Sequence, residues 1–194
     1  GVGFVNVSPL RDDLLEDVEA KWLSLRPCSD KALILGLCHT LHAEGLEDKA
    51  VLDRYTEGHE PFRAYLDGTT DGIPKSADWA ARLCGLPAER IRDLARRMAR
   101  GRTMISVSWS LTRQHHGEQP FWAAIALAAM LGQIGLPGGG IGFGYSAVNS
   151  VGNGHRPLPL ASFPQGKNPV PDFIPLARIA DMLLNPGAPF DYDG

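Results

Sequence analysis

The feature that most constrains this chain is a pair of short β-prone runs, each stopped by a proline, the second leading straight into a helix. Val2 to Val7 ends at Ser8-Pro9, and Trp22 to Leu25 ends at Arg26-Pro27. The residue before a proline is pushed into extended backbone, so both runs read as strands closed by turns. Ser29-Asp30 then sits where a helix N-cap belongs. A broad apolar face follows from Ala32 to Ala43, and Gly45 supplies the stop. The order returns later: a compact strand at Met104–Val107, a polar loop from Ser108 to Gln119, and an apolar helix opened by Pro120 and running from Phe121 to Met130. Such alternation favours an α/β fold with a mainly parallel, helix-covered sheet.

The stretches between these units are helical or irregular. Arg11 to Ala20 is an acidic connector or short helix. Leu46–Tyr55 and Pro61–Leu66 are short amphipathic pieces, and Asp67–Pro74 is loop chemistry. Ala77–Cys84 and Pro87–Ala99 read as helices, with Pro87 at the first helical position. Gly132 to Gly144 holds seven glycines, Pro157 to Pro175 is proline-rich coil, and Leu176–Leu184 is a last short helix ended by Asn185-Pro186-Gly187. The expected organisation is one α/β domain over residues 1–150, with an irregular Gly/Pro-rich segment at 151–194 packing on it.

Composition excludes several classes. With 194 residues, 44% of them hydrophobic, the chain is long enough to bury a real core. A net charge of −3 gives no overall basic footprint for nucleic acid or an anionic membrane. The arginines between Arg90 and Arg100 therefore read as a solvated helix face. Three cysteines without a CxxC spacing exclude a disulfide scaffold, a four-cysteine zinc site and an iron–sulfur cluster within this chain. The apolar stretch Phe121–Leu136 is broken by glycines and is short of a membrane span. No targeting segment is visible, and the chain reads as a piece of something longer.

Ligands of open α/β sheets bind beyond the carboxyl ends of the strands. Three turns hold that position: Ser8-Pro9-Leu10, Pro27-Cys28-Ser29-Asp30, and Ser108-Trp109-Ser110 with Arg113. They offer hydroxyls, a carboxylate, an aromatic face, a guanidinium and a helix N-terminus, a set suited to a large polar ligand carrying phosphates and a purine. Gly142-Phe143-Gly144-Tyr145-Ser146-Ala147 spells a dinucleotide-binding fingerprint, but it reads as following a helix and running into a loop, so that assignment is rejected. Adjacent His115 and His116 cannot easily converge on one ion, and no metal ligand is expected here. Cys38 and Cys84 read as core residues.

Three stretches carry a resemblance: Arg26-Pro-Cys-Ser-Asp-Lys-Ala-Leu33, Ser106-Val-Ser-Trp-Ser-Leu-Thr-Arg-Gln-His-His-Gly-Glu-Gln-Pro120 and Leu127-Ala-Ala-Met-Leu-Gly-Gln-Ile-Gly-Leu-Pro-Gly-Gly-Gly140. With them the chain resembles the dimethyl sulfoxide reductase family of molybdenum enzymes over nearly its whole length, nearest the S- and N-oxide reductases. The resemblance implies a Rossmann-like three-layer domain and a molybdenum bis(molybdopterin guanine dinucleotide) cofactor. It also implies oxygen-atom transfer from a sulfoxide or N-oxide. The family's molybdenum-ligating serine lies upstream of this region and a second cofactor-binding domain lies downstream. The remaining domains of a parent enzyme are thus the expected partners, with the electron donor open and the cytoplasm favoured over the periplasm.

Residue by residue, the resemblance places Ser8, Pro9, Pro27, Ser29 and Asp30 in turns that hold a guanine dinucleotide, Asp30 on the guanine edge. Trp109, Ser110 and Arg113 fall near the pterin and the substrate funnel, with Trp109 walling the pocket and Arg113 setting its field. His116, Gly117 and Gln119 fall in the next cofactor motif, and Asn149 on the substrate side. Where relatives often carry Pro-Gly-Thr-Asp or Pro-Gln-Thr-Asp, this chain has Pro27-Cys28-Ser29-Asp30. Ser29 keeps the hydroxyl, while Cys28 is expected to weaken a ligand contact. Two other readings stand beside this one: a non-catalytic nucleotide-binding or remnant module, and a nucleic-acid module built on the Arg90–Arg100 helix.

Overall fold

The computed structural model describes residues 1–14, 17–143, 163–164, 166–167, 169–170 and 172–189. It divides into two compact units, Gly1–Gly154 and His155–Gly194. The first is mixed α/β. β1 (Phe4–Ser8) and β2 (Ala20–Ser24) pair in parallel, with Val5 opposite Lys21 and Ser8 opposite Ser24. β3 (Met104–Val107) and β4 (Gly140–Phe143) form a second parallel pair, with Met104 opposite Gly140 and Val107 opposite Phe143. Parallel pairing aligns the carboxyl ends of each pair. Ser8 and Ser24 therefore share one edge, as do Val107 and Phe143.

The helices of this unit are α1 (Asp30–Ala43), α2 (Lys49–Tyr55), α3 (His59–Leu66), α4 (Ala77–Cys84), α5 (Ala88–Arg100) and α6 (Gln119–Met130). α1 is the hub and packs against α3, α4, α5 and α6. Leu33, Leu37, Cys38 and Leu41 bury its apolar face, together with Leu66, Ala80, Cys84, Ile91, Leu127 and Met130. The crossing with α4 is close because Gly36 faces Ala80, whose Cβ lies 2.7 Å from where a Cβ on Gly36 would stand. α1 ends as the sequence predicts. Gly45 is left-handed, its N–H donates to the His42 carbonyl at 3.0 Å, and the Leu46 N–H reaches the Leu41 carbonyl at 2.8 Å.

Four expectations shift. Among the described residues the acidic connector holds a 3-10 turn, Arg11–Asp13, and β2 runs Ala20–Ser24 rather than from Trp22 to Leu25. Pro87, expected at the first helical position, is instead the N-cap of α5, which starts one residue later at Ala88. The glycine-rich stretch contains a strand: Gly142 lies inside β4 instead of following a helix. Glycine is a poor strand former, so pattern alone conceals β4, yet Gly140 needs its bare backbone. A Cβ there would stand 3.2 Å from both the Gln133 carbonyl oxygen and the Ile134 Cα.

α6 is not wrapped in protein all round. Ala123, Ala124, Leu127 and Ala128 are buried, whereas Trp122 is 63% and Ile125 49% exposed. Among the described residues no helix is long and apolar enough to cross a membrane. In the second unit, a 3-10 turn (Leu176–Arg178) runs into α7 (Ile179–Leu184), which Asn185 closes by donating its N–H to the Asp181 carbonyl at 2.9 Å.

Candidate functional site

The site is built where the strands end. Behind β1, Ser8 is buried, and its hydroxyl is used inside the turn: it donates to the Asp13 carboxylate and accepts the Leu10 N–H at 3.1 Å. Its carbonyl accepts from Trp22 Nε1 at 2.9 Å. Ser8 thus shapes the turn, and Pro9 and Leu10 are what that turn exposes.

Behind β2, the Pro27–Asp30 turn is clamped to the end of α4. The Arg26 N–H donates to the Cys84 carbonyl at 2.9 Å, and Arg26 Nη1 donates to the carbonyls of Arg82 at 3.3 Å and Leu83 at 3.0 Å. Ser29 Oγ donates in turn to the Arg26 carbonyl at 2.5 Å. Pro27 and Cys28 are exposed, and Cys28 takes the left-handed conformation, φ +62°. Ser29, the N-cap of α1, makes no side-chain cap, so no side chain from that position covers the first-turn N–H groups of a fourteen-residue helix. These groups favour an anion.

Asp30 opens α1 and is half-buried. Burial raises its carboxyl above the usual range, opposed by its own backbone N–H and by the Gln114 side chain. Gln114 also donates Nε2 to the Leu111 carbonyl at 2.9 Å. Next to Asp30, Lys31 Nζ donates to Gln119 Oε1 at 2.8 Å. The start of α1 is thereby tied to the loop behind β3, and Asp30 and the Trp109–Gln119 segment share one edge.

That loop opens with a 3-10 turn over Trp109–Thr112. Ser108 Oγ accepts the Ser110 N–H at 3.3 Å and lies 2.9 Å from Ser110 Oγ. The Trp109 ring sits 5.6 Å from Phe143, which meets Phe121 edge-on at 5.1 Å. These rings stand beside an open groove of about 640 Å³ whose lining includes Phe121, Trp122, Ile125, Ile141 and Phe143. Arg113, Ser110, His115 and His116 are exposed, and His116 is left-handed, φ +56°. The Glu118 carboxyl is held below its usual range chiefly by its own backbone N–H, with the Gln119 side chain and His116 adding to this. Gly117 is buried for a packing reason. A Cβ there would stand 2.4 Å from the Thr112 carbonyl oxygen, so the loop closes on itself only with glycine.

The structure brings Asp30 to Gln114 and Lys31 to Gln119 at the start of α1, while Trp109 stands beside Phe143, Gly117 closes on Thr112, and Ser8 and Pro9 sit at the end of β1. Asn149 lies outside the described residues. Sequence reasoning did not single out Lys31, Gln114, Phe121 or Phe143, the groups that knit the edge together. Cys38 and Cys84 are fully buried, with burial pushing the Cys38 thiol well up. Among the described residues no cluster of three or more His, Cys, Asp or Glu side chains could hold a metal ion.

An uncapped helix start and a half-buried carboxylate lie at the carboxyl ends of parallel strands, where open α/β folds bind their ligands. Residues 4–178 match the family model for molybdopterin oxidoreductases, and the chain belongs to the molybdopterin oxidoreductase family. Membership implies a molybdenum–pterin cofactor. The chain is 52% identical to biotin sulfoxide reductase of Cereibacter sphaeroides over 197 residues, covering 100% of this chain and 26% of that protein. It is 43% identical to dimethyl sulfoxide/trimethylamine N-oxide reductase of the same organism and 41% to trimethylamine-N-oxide reductase of Haemophilus influenzae, covering 100% of this chain and 25% of each. It thus spans about a quarter of the length of these relatives. Acetylene hydratase from Pelobacter acetylenicus shares the fold, with a TM-score of 0.58 and 24% identity over 69% of this chain and 18% of that one.

Proposed function

We propose that this chain forms the guanine-dinucleotide-holding part of a molybdenum oxidoreductase of the biotin sulfoxide, DMSO or TMAO reductase type. The bound cofactor is bis(molybdopterin guanine dinucleotide). When bound, it supplies two-electron oxygen-atom transfer, converting an S- or N-oxide, two electrons and two protons into the sulfide or amine and water. The observation that carries this reading is the half-buried carboxylate of Asp30 beside the uncapped start of α1.

Guanine N1–H and N2–H₂ are parallel donors, and a carboxylate matches them with two acceptor oxygens in charge-assisted bonds. Burial that penalises the unliganded Asp30 anion makes those donors more valuable to it. The first-turn N–H groups of α1, left uncapped by Ser29, suit a phosphate. Lys31 and Gln119 brace the loop that presents Trp109, whose exposed ring offers an aromatic face to the cofactor, and Arg113 supplies a permanent positive charge for an oxyanionic ligand. Three free thiols suit a reducing compartment, and we assign the enzyme to the cytoplasm.

The test is Asp30→Asn in the full-length protein, reading guanine nucleotide released on acid hydrolysis and molybdenum content. Losing a charge-assisted pair costs about 1.5–3 kcal/mol, so retention of the dinucleotide weakens roughly ten- to hundred-fold. An unchanged guanine content and affinity would refute the assignment.

A further inference from the structure

α5 carries its arginines on two sides. Arg92 pairs with Asp78 and, at 3.2 Å, with Glu89. Arg96 grips Glu44 through two bonds of 2.9 Å and Glu89 through another of 2.9 Å. Arg90 and Arg97 instead line a hollow of about 90 Å³ together with Lys21 of β2, over walls of Val5, Leu23 and Leu94. Lys21 and Leu23 are two residues apart and share a face of β2, and Val5 stands opposite Lys21 in the register. The Arg97 guanidinium lies against the chain start, its Nη2 2.5 Å from where a Cβ on Gly3 would stand. Among the described residues, no acid pairs with Lys21, Arg90 or Arg97. Asp93, the one acid lining the hollow, is turned 3.4 Å from Arg96.

Three cations around a partly apolar hollow repel one another, in a chain whose net charge is −3. We propose that this hollow is a binding site for one phosphate-type oxyanion. Two guanidiniums supply forked donors for tetrahedral oxygens, and Lys21 adds a compact point charge. The hollow, of about 90 Å³, has room for a single oxyanion group. It lies toward the amino ends of β1 and β2, whereas Asp30 serves the opposite edge, so this site is independent of the cofactor reading.

The experiment is calorimetric titration and thermal unfolding of the full-length protein with inorganic phosphate, against sodium chloride at matched ionic strength. Glycerol 3-phosphate is run in parallel, to separate a free anion from a phosphate borne on a carrier. Saturable phosphate binding is expected, weakened at least ten-fold in Arg90→Gln/Arg97→Gln and in Lys21→Gln. It should stay within two-fold of wild type in Arg92→Gln. Without phosphate, Lys21→Gln should unfold at the same or a higher temperature, because it relieves repulsion. Absence of saturable binding, full affinity in the double variant, or a lowered unfolding temperature of phosphate-free Lys21→Gln would overturn the proposal.

Discussion

Cys28→Gly should stabilise the protein, and the reason lies in the backbone rather than the thiol. Cys28 is exposed and left-handed at φ +62°. An L-residue in that region costs roughly 1–2 kcal/mol, because its Cβ crowds the following carbonyl oxygen. Glycine removes that crowding but brings roughly 0.5–1 kcal/mol of extra unfolded-state freedom. The net gain is therefore about 0.5–1 kcal/mol, or about 1–4 °C in unfolding temperature for a domain of this size. Urea unfolding followed by tryptophan fluorescence, with a constant denaturant slope, reads it directly. Cys28→Ala is the decisive companion: it removes the sulfur and keeps the Cβ, so it should gain nothing. If Cys28→Ala stabilises as much as Cys28→Gly, the backbone argument is wrong.

Three further outcomes follow from the same structure. Burial raises the Asp30 carboxyl above its ordinary 3.8, so the folded state binds a proton more readily there than the unfolded chain. Stability consequently falls as pH rises through the window above 3.8, and cofactor-free Asp30→Asn should be more stable than wild type at neutral pH, with the gap closing on acidification. His39 behaves oppositely. Burial lowers it below its ordinary 6.5, with Asp67 opposing and His42 reinforcing, so its protonation is disfavoured in the folded state. Stability should drop as pH falls below about 6.5, and His39→Gln should flatten that limb of a stability–pH profile. Gly117→Ala places a Cβ 2.4 Å from the Thr112 carbonyl oxygen and should cost about 1–3 kcal/mol, read as a lowered urea midpoint.

Much of this fold could be read directly, because its borders carry local chemistry. α4 runs from Ala77 to Cys84 as predicted: Ser76 Oγ accepts the Trp79 N–H at 3.2 Å at one end, and Gly85 turns left-handed at the other. β3 kept its expected limits, since a short β-branched run meets a hydroxyl-rich turn at Ser108. β4 was missed because Gly140 and Gly142 have no side chains to declare a strand, and only the packing of Gln133 and Ile134 against Gly140 makes glycine necessary. The site was legible as turns and illegible as a surface. That Lys31 meets Gln119, 88 residues away, follows from how α1 and α6 pack, and no spacing rule contains it. Likewise Ser8 looked available as a ligand hydroxyl, yet Asp13, five residues on, engages it within the turn. The arginines of α5 could be read as a charged face, but only the positions of Glu44 and Asp78 show which are neutralised.

Arg26 anchors the turn before Asp30 to three carbonyls at the end of α4, so the edge proposed to hold the cofactor has its footing in a helix that supplies none of the proposed contacts. A shift of α4 against α1, at the Gly36–Ala80 crossing for instance, would tip Asp30 like a lever. Drift in sequence along α4 is accordingly a route by which descendants of this chain could retune the position of Asp30, and with it the proposed grip on a nucleotide, while the residues of that edge stay the same.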